Sequence, residues 1–137
     1  MEIHQKIIDY VEESLAGRLY APIMATPVSE GTDGISITVA PSRYEQKFLD
    51  GMVYDTMLLQ ITAKSPDSVL ALDTVSRISS ILEGAPKYAL TSEGGRFCLD
   101  KCDINTNPHF GFMDKSQTYV YVSMVKVYFF RKIERGE

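Results

Sequence analysis

The side chains able to do chemistry are few and scattered. Cys98 and Cys102 stand four residues apart in a segment that reads as a strand, where about 3.3 Å per residue separates their Cα atoms by roughly 13 Å. They cannot pair with each other, and CxxxC alone lacks the four ligands of a structural zinc site. His4 falls near the start of an amphipathic stretch and His109 in a polar one, neither with an HExxH or other ligand partner, so each reads as a solvated imidazole. Asp100 with Asp103, or Glu12 with Glu13, could be drawn as acid and base. With 18 carboxylates in the chain, however, such neighbours are expected and read as a solvated face. GxSxG, GxxxxGK[ST] and GxGxxG after a strand are all missing. The expectation is a protein with no catalytic residues, no cofactor and no metal.

The elements that would position any site follow from periodicity. Ile3, Ile7, Val11 and Leu15 recur every four residues with Ile8 beside them, which predicts an amphipathic helix ended by Gly17. Leu19 to Val28 is interrupted by Pro22 and Pro27 and reads as a short edge strand. After the turn residues Glu30 to Gly34, Ile35, Ile37 and Val39 alternate with Ser36 and Thr38, so the two segments are expected to form a hairpin. Residues 40–53, including Arg43, Tyr44, Phe48 and Leu49, read as a strand extension or projecting arm that turns at Asp50-Gly51. Tyr54 to Lys64 is a strand with Met57, Leu59, Ile61 and Ala63 on one face. Ser65 as N-cap, Pro66 and Asp67 start a long helix carrying Ala71, Val75, Ile78 and Leu82, which Gly84 and Pro86 stop. A strand from Arg96 to Ile104 leads into a punctuated segment, Asn105 to Asp114, which is expected to be an exposed loop presenting His109, Phe110 and Phe112.

The expected fold is α+β: a mixed, mostly antiparallel sheet of about five strands with two helices on one face, in the order α-β-β-β-α-β-β. Residues 1–137 are expected to make one domain. A net charge of −4 with no basic run removes the electrostatic footprint of tight nucleic-acid binding, although DNA passing through a lumen would not need one. No apolar run approaches the roughly 20 residues of a membrane span, so neither a membrane nor a secretory signal is expected, and two free thiols suit a reducing compartment.

Gln117 to Lys132 is the most informative segment. Ten of the twelve residues from Tyr119 to Phe130 are apolar or aromatic, so both faces of this strand need cover. Two helices can cover one. The other requires a folded-over sheet or a neighbouring subunit, and Val122 and Met124 are the residues expected to face that neighbour. Aromatic enrichment, with eight tyrosines, fits an interface and would also fit a β core.

The element order, the stretch Met57 to Ser65 running directly into the helix from Asp67, the Phe48-Leu49-Asp50-Gly51 turn and Pro108 before a long aromatic last strand together resemble the tail terminator proteins of long-tailed phages, also labelled head-to-tail joining, minor capsid or tail completion proteins. The resemblance spans nearly the whole chain and lives in element order. It implies a structural protein without enzymatic activity, a hexameric ring that caps the tail tube, and a position at the tail–neck junction of a virion assembled in the bacterial cytoplasm. Its partners would be the major tail tube protein and the neck connector. The arm with Arg43, Tyr44, Phe48 and Leu49 would join subunits, and the segment around His109, Phe110 and Phe112 would meet an axial partner. The alternatives are a neck or stopper protein at the same junction and a small-ligand-binding or hotdog-like enzyme domain, which would show a pocket with convergent polar groups.

Overall fold

The structure is a computed structural model that describes residues 2–29, 32–41, 46–92 and 95–132. Its elements are α1 (Glu2–Ser14), β1 (Ile23–Met24), β2 (Gly34–Val39), β3 (Gln46–Leu49), β4 (Met52–Ser65), α2 (Ser68–Glu83), β5 (Phe97–Met113) and β6 (Tyr119–Lys132). The strands make one six-stranded sheet in the order β1-β2-β4-β6-β5, with β3 pairing β4 beyond the end of β2. All pairings are antiparallel except β1 with β2. The α+β class and the expected order hold, and the arm adds the short strand β3.

Both helices pack on the same face of the sheet. The inner rows Ile35 and Ile37 of β2, Met57 to Ala63 of β4, and Val125 to Phe129 of β6 join Ile3, Ile7, Ile8, Val11 and Leu15 of α1 and Ala71, Val75, Ile78 and Leu82 of α2 in one buried cluster. The period of two in β4 therefore did what it promised: Met57, Leu59, Ile61 and Ala63 are inside, while Tyr54, Thr56, Leu58, Gln60 and Thr62 are half-exposed on the outer face. Within the core, the hydroxyls of Ser79 on α2 and Ser123 on β6 satisfy each other at 2.6 Å.

Several local expectations need correction. The residues before β2 do not form a hairpin with it: Ile23 and Met24 pair Ile35 and Ser36 in parallel. The prolines limit β1 to two residues, and the chain returns across the sheet end, where Val28 packs on Gly34. A Cβ on Gly34 would lie 3.1 Å from the Val28 side chain. The cap of α2 is Asp67, not Ser65. The Asp67 carboxylate accepts the Val69 and Leu70 amides at 3.0 and 3.2 Å, and Ser65 Oγ in turn accepts the Asp67 amide at 3.0 Å. Asp67→Ala should therefore lower stability by about 0.5–2 kcal/mol, read as a shift in urea midpoint, with Ser65→Ala acting through Asp67.

The largest correction concerns residues 105–114. They are the second half of β5, not a loop, and His109, Phe110 and Phe112 are strand residues paired with Val122, Tyr121 and Val120. Four register shifts along β5 absorb its punctuation. Gly111 is required at one of them, because a Cβ there would stand 3.1 Å from Val122 Cγ2 and 3.2 Å from the Val120 carbonyl oxygen. Asp50-Gly51 forms a two-residue hairpin turn between Leu49 and Met52, with Gly51 at φ 72° as such turns demand.

Candidate functional site: the open sheet face

The outer face of β4 and β6 is the surface that the fold leaves without a second layer. Every residue in its two central rows, Tyr54 to Thr62 and Val122 to Phe130, is half-exposed, and no helix packs there among the described residues. Cross-strand pairs place Phe130 beside Tyr54, Tyr128 beside Thr56, Lys126 beside Leu58, Met124 beside Gln60 and Val122 beside Thr62. The expectation that both faces of β6 need cover is thus met on one side only within a single chain.

At one end the face is aromatic. Tyr54 lies 4.8 Å from Phe130 and stacks on Tyr128 at 6.2 Å between ring centroids. Lys101 and Lys126 sit over the Tyr128 ring at 4.8 and 5.2 Å, an arrangement that ammonium groups adopt over the negative face of an aromatic ring. The Tyr54 hydroxyl donates to the Asp100 carboxylate, whose other oxygen lies 3.5 Å from Lys87 Nζ. Burial first, and Asp100 second, hold the Tyr54 hydroxyl well above its ordinary value. These contacts fix the rings in place. Preset aromatic side chains cost little ordering entropy on binding, which suits them to a protein interface.

The register shift between Leu99 and Lys101 separates the two cysteines: Cys98 pairs Phe130 on the outer face, and Cys102 pairs Val127 on the inner one. Both are free, and burial pushes the Cys102 thiol up to about 12. Burial likewise raises the Tyr20 hydroxyl to about 12, where it lies 2.9 and 2.7 Å from the carbonyls of Gly34 and Lys64. Both folded-state values exceed the ordinary ones, 9.0 for the thiol and 10.0 for the phenol. Their contribution to stability is therefore complete below about pH 9 and is lost as the pH rises towards 12. Urea midpoints measured at pH 8, 10 and 11 should fall in that order, and Tyr20→Phe should flatten the decline.

The remaining sequence-picked residues divide by position. Val122 and Met124 lie side by side on the outer face, with His109 and Thr106 of β5 opposite them. Phe110 lies edge-on to Tyr119 and Tyr121 at 6.5 and 5.6 Å, whereas Phe112 pairs Val120; both phenylalanines are about half exposed. Phe48 is 61% exposed on β3, at the opposite end of the sheet. Along β4, from Val53 to Lys64, the two ends are about 36 Å apart. Leu49 pairs Met52 beside Phe48, and Arg43 and Tyr44 lie outside the described residues. β3 and the 109–112 segment therefore occupy different ends of the sheet.

Further polar links escaped the sequence reading, among them His4, expected to be solvated, whose Nε2 lies 2.5 Å from the Ile37 carbonyl oxygen. Arg131 Nε donates to Asp55 at 2.9 Å, and the buried Lys64 ammonium pairs Asp114 at 2.7 Å. Their partners lie 76 and 50 residues apart, and no local pattern announces them. A groove of about 350 Å³ lies at the end of α1, lined by Leu15, Gly17, Tyr20 and Pro22, with Glu12 the only charged group on its wall. That carboxylate already accepts the Ile23 amide at 3.2 Å. Among the described residues, no group of three or more His, Cys, Asp and Glu side chains could hold a metal ion, and no helix is long and apolar enough to cross a membrane.

No family model and no curated protein matches this sequence. Among solved structures, the fold is similar to that of a chain in "Virion of native gene transfer agent (GTA) particle", with a TM-score of 0.56 and 11% identity, covering 89% of this chain and 92% of that one. The likeness is one of fold.

Proposed function

We propose that this chain is a structural protein of a virion or phage-tail-like particle, and that within it the chain acts as a tail terminator. It forms a ring on the end of the tail tube, stops further tube growth and meets the neck. The observation that carries this reading is the fold likeness to a chain of a gene transfer agent virion over almost the full length of both. The open face of β4 and β6 supports it, because a ring protein needs a large surface that a single copy leaves uncovered. The separation of Phe48 from Phe112 supports it too: exposed aromatics at both ends of long strands suit a part that joins two axial neighbours.

The test is reconstitution with tail tube protein. Tubes polymerised with this chain should end in a ring and stop at shorter lengths, as seen by electron microscopy. Tubes of unchanged length and bare ends, together with binding to the connector alone, would make the chain a stopper instead. Binding to neither would remove the proposal.

A further inference from the structure

One buried ammonium group joins two turns that lie on opposite sides of β4. Lys64 is only 5% exposed, and in register it stands between Gly34 of β2 and Val120 of β6. Its Nζ donates to the Asp114 carboxylate at 2.7 Å and to the Ser29 carbonyl at 3.0 Å. Ser29 belongs to the turn that leads into β2. The same carbonyl accepts the Thr32 amide at 3.2 Å, and neighbouring Val28 rests on Gly34. Asp114, 6% exposed, organises the turn that leads into β6. Its amide donates to the Thr118 carbonyl at 2.8 Å and its carbonyl accepts the Gln117 amide at 2.9 Å. Its carboxylate accepts the amide and hydroxyl of Ser116 at 3.1 and 3.2 Å. Gln117 is held at φ 62°, a left-handed conformation that a non-glycine residue keeps only when its surroundings over-determine it.

These contacts make each turn a condition for the other. If the β5–β6 turn swings out, the ammonium is left buried without its carboxylate, which is strongly unfavourable. If the 28–29 segment lifts, water reaches the ion pair, and an exposed pair holds far more weakly than a buried one. We propose that Lys64 couples the two turns into a single opening unit, so that loosening or ordering one does the same to the other. The β5–β6 turn follows directly on Phe112 and Met113, so whatever orders the 28–29 segment before β2 also sets how those side chains are presented.

Hydrogen exchange in a double-mutant cycle tests this. Val28→Gly loosens the turn before β2 without touching Asp114. With Lys64 present it should speed exchange of the Asp114, Ser116 and Gln117 amides by about fivefold or more, the lower range of measurable coupling between sites. In a Lys64→Met background, where those amides already exchange fast, Val28→Gly should add nothing. If Lys64→Met does not fold, Lys64→Met with Asp114→Asn removes both charges together and replaces it as the background. The proposal is overturned if Val28→Gly leaves 114–117 unchanged with Lys64 present, speeds it equally in both backgrounds, or speeds exchange uniformly through the core of β4 and α2.

Discussion

Protein carrying Met124→Glu is expected to purify folded and to fail in assembly. Met124 is half-exposed on the outer face, between Gln60 of β4 and Thr106 of β5, and among the described residues no helix touches that side. A carboxylate there stays hydrated in the single chain, so stability should change by no more than about 1 kcal/mol. In a ring whose neighbour covers this face, the same carboxylate is desolvated without a partner, which costs on the order of 3–5 kcal/mol at each contact. That is a loss of roughly two to four decades in the association constant of every interface. Circular dichroism and urea midpoints check the first half, and mass photometry at rising concentration with tail tubes present checks the second. Val122 is the poorer probe, because its Cγ2 lies against Gly111, and a longer side chain would disturb β5 as well.

Leu59→Ala should have the opposite profile. Leu59 is fully buried between β4 and the helices, and truncating such a side chain removes its transfer free energy and leaves a cavity, typically costing about 2–5 kcal/mol. Against a total stability of about 5–15 kcal/mol this is a large share. The urea midpoint should fall at unchanged slope. The adjacent Leu58→Ala, one residue away on the outer face, should leave the midpoint nearly in place. A pair of neighbouring leucines with contrary effects would establish which side of this sheet is core.

Strictly alternating segments were readable because nothing interrupts their period. Met57 to Ala63 alternate without a bulge, and the apolar stripes of both helices fall at regular spacing, so their buried faces follow from the sequence; in β2 only Ile35 and Ile37 keep to the expected alternation, because Ser36 is buried and Val39 is 47% exposed. Residues 105–114 were not readable. Pro108, Gly111 and the asparagines carry the composition of a loop, while the decisive fact, a 14-residue partner strand in β6 that holds them in register through four shifts, lies elsewhere in the chain. The parallel pairing of β1 was hidden for a similar reason. Two prolines announce an edge, but the direction of approach depends on Val28 crossing over Gly34. The excess apolar surface of Tyr119 to Phe130 was legible as a quantity. Its division into a helix-covered row and an open row required the sheet order. Lys101 above Tyr128 and the Tyr54–Asp100 bond join strands, and the Lys64–Asp114 pair joins a strand to a turn, that only the folded sheet brings together.

The most direct measurement is a cryo-electron microscopy reconstruction of the chain bound to the end of a tail tube. The proposed role predicts six copies of the 15.4 kDa chain in a closed ring, with side chains of the adjacent copy within contact distance of Met124, Lys126 and Tyr128. A ring in which that face remains open to solvent, or tubes that end without any ring of this chain, would contradict it.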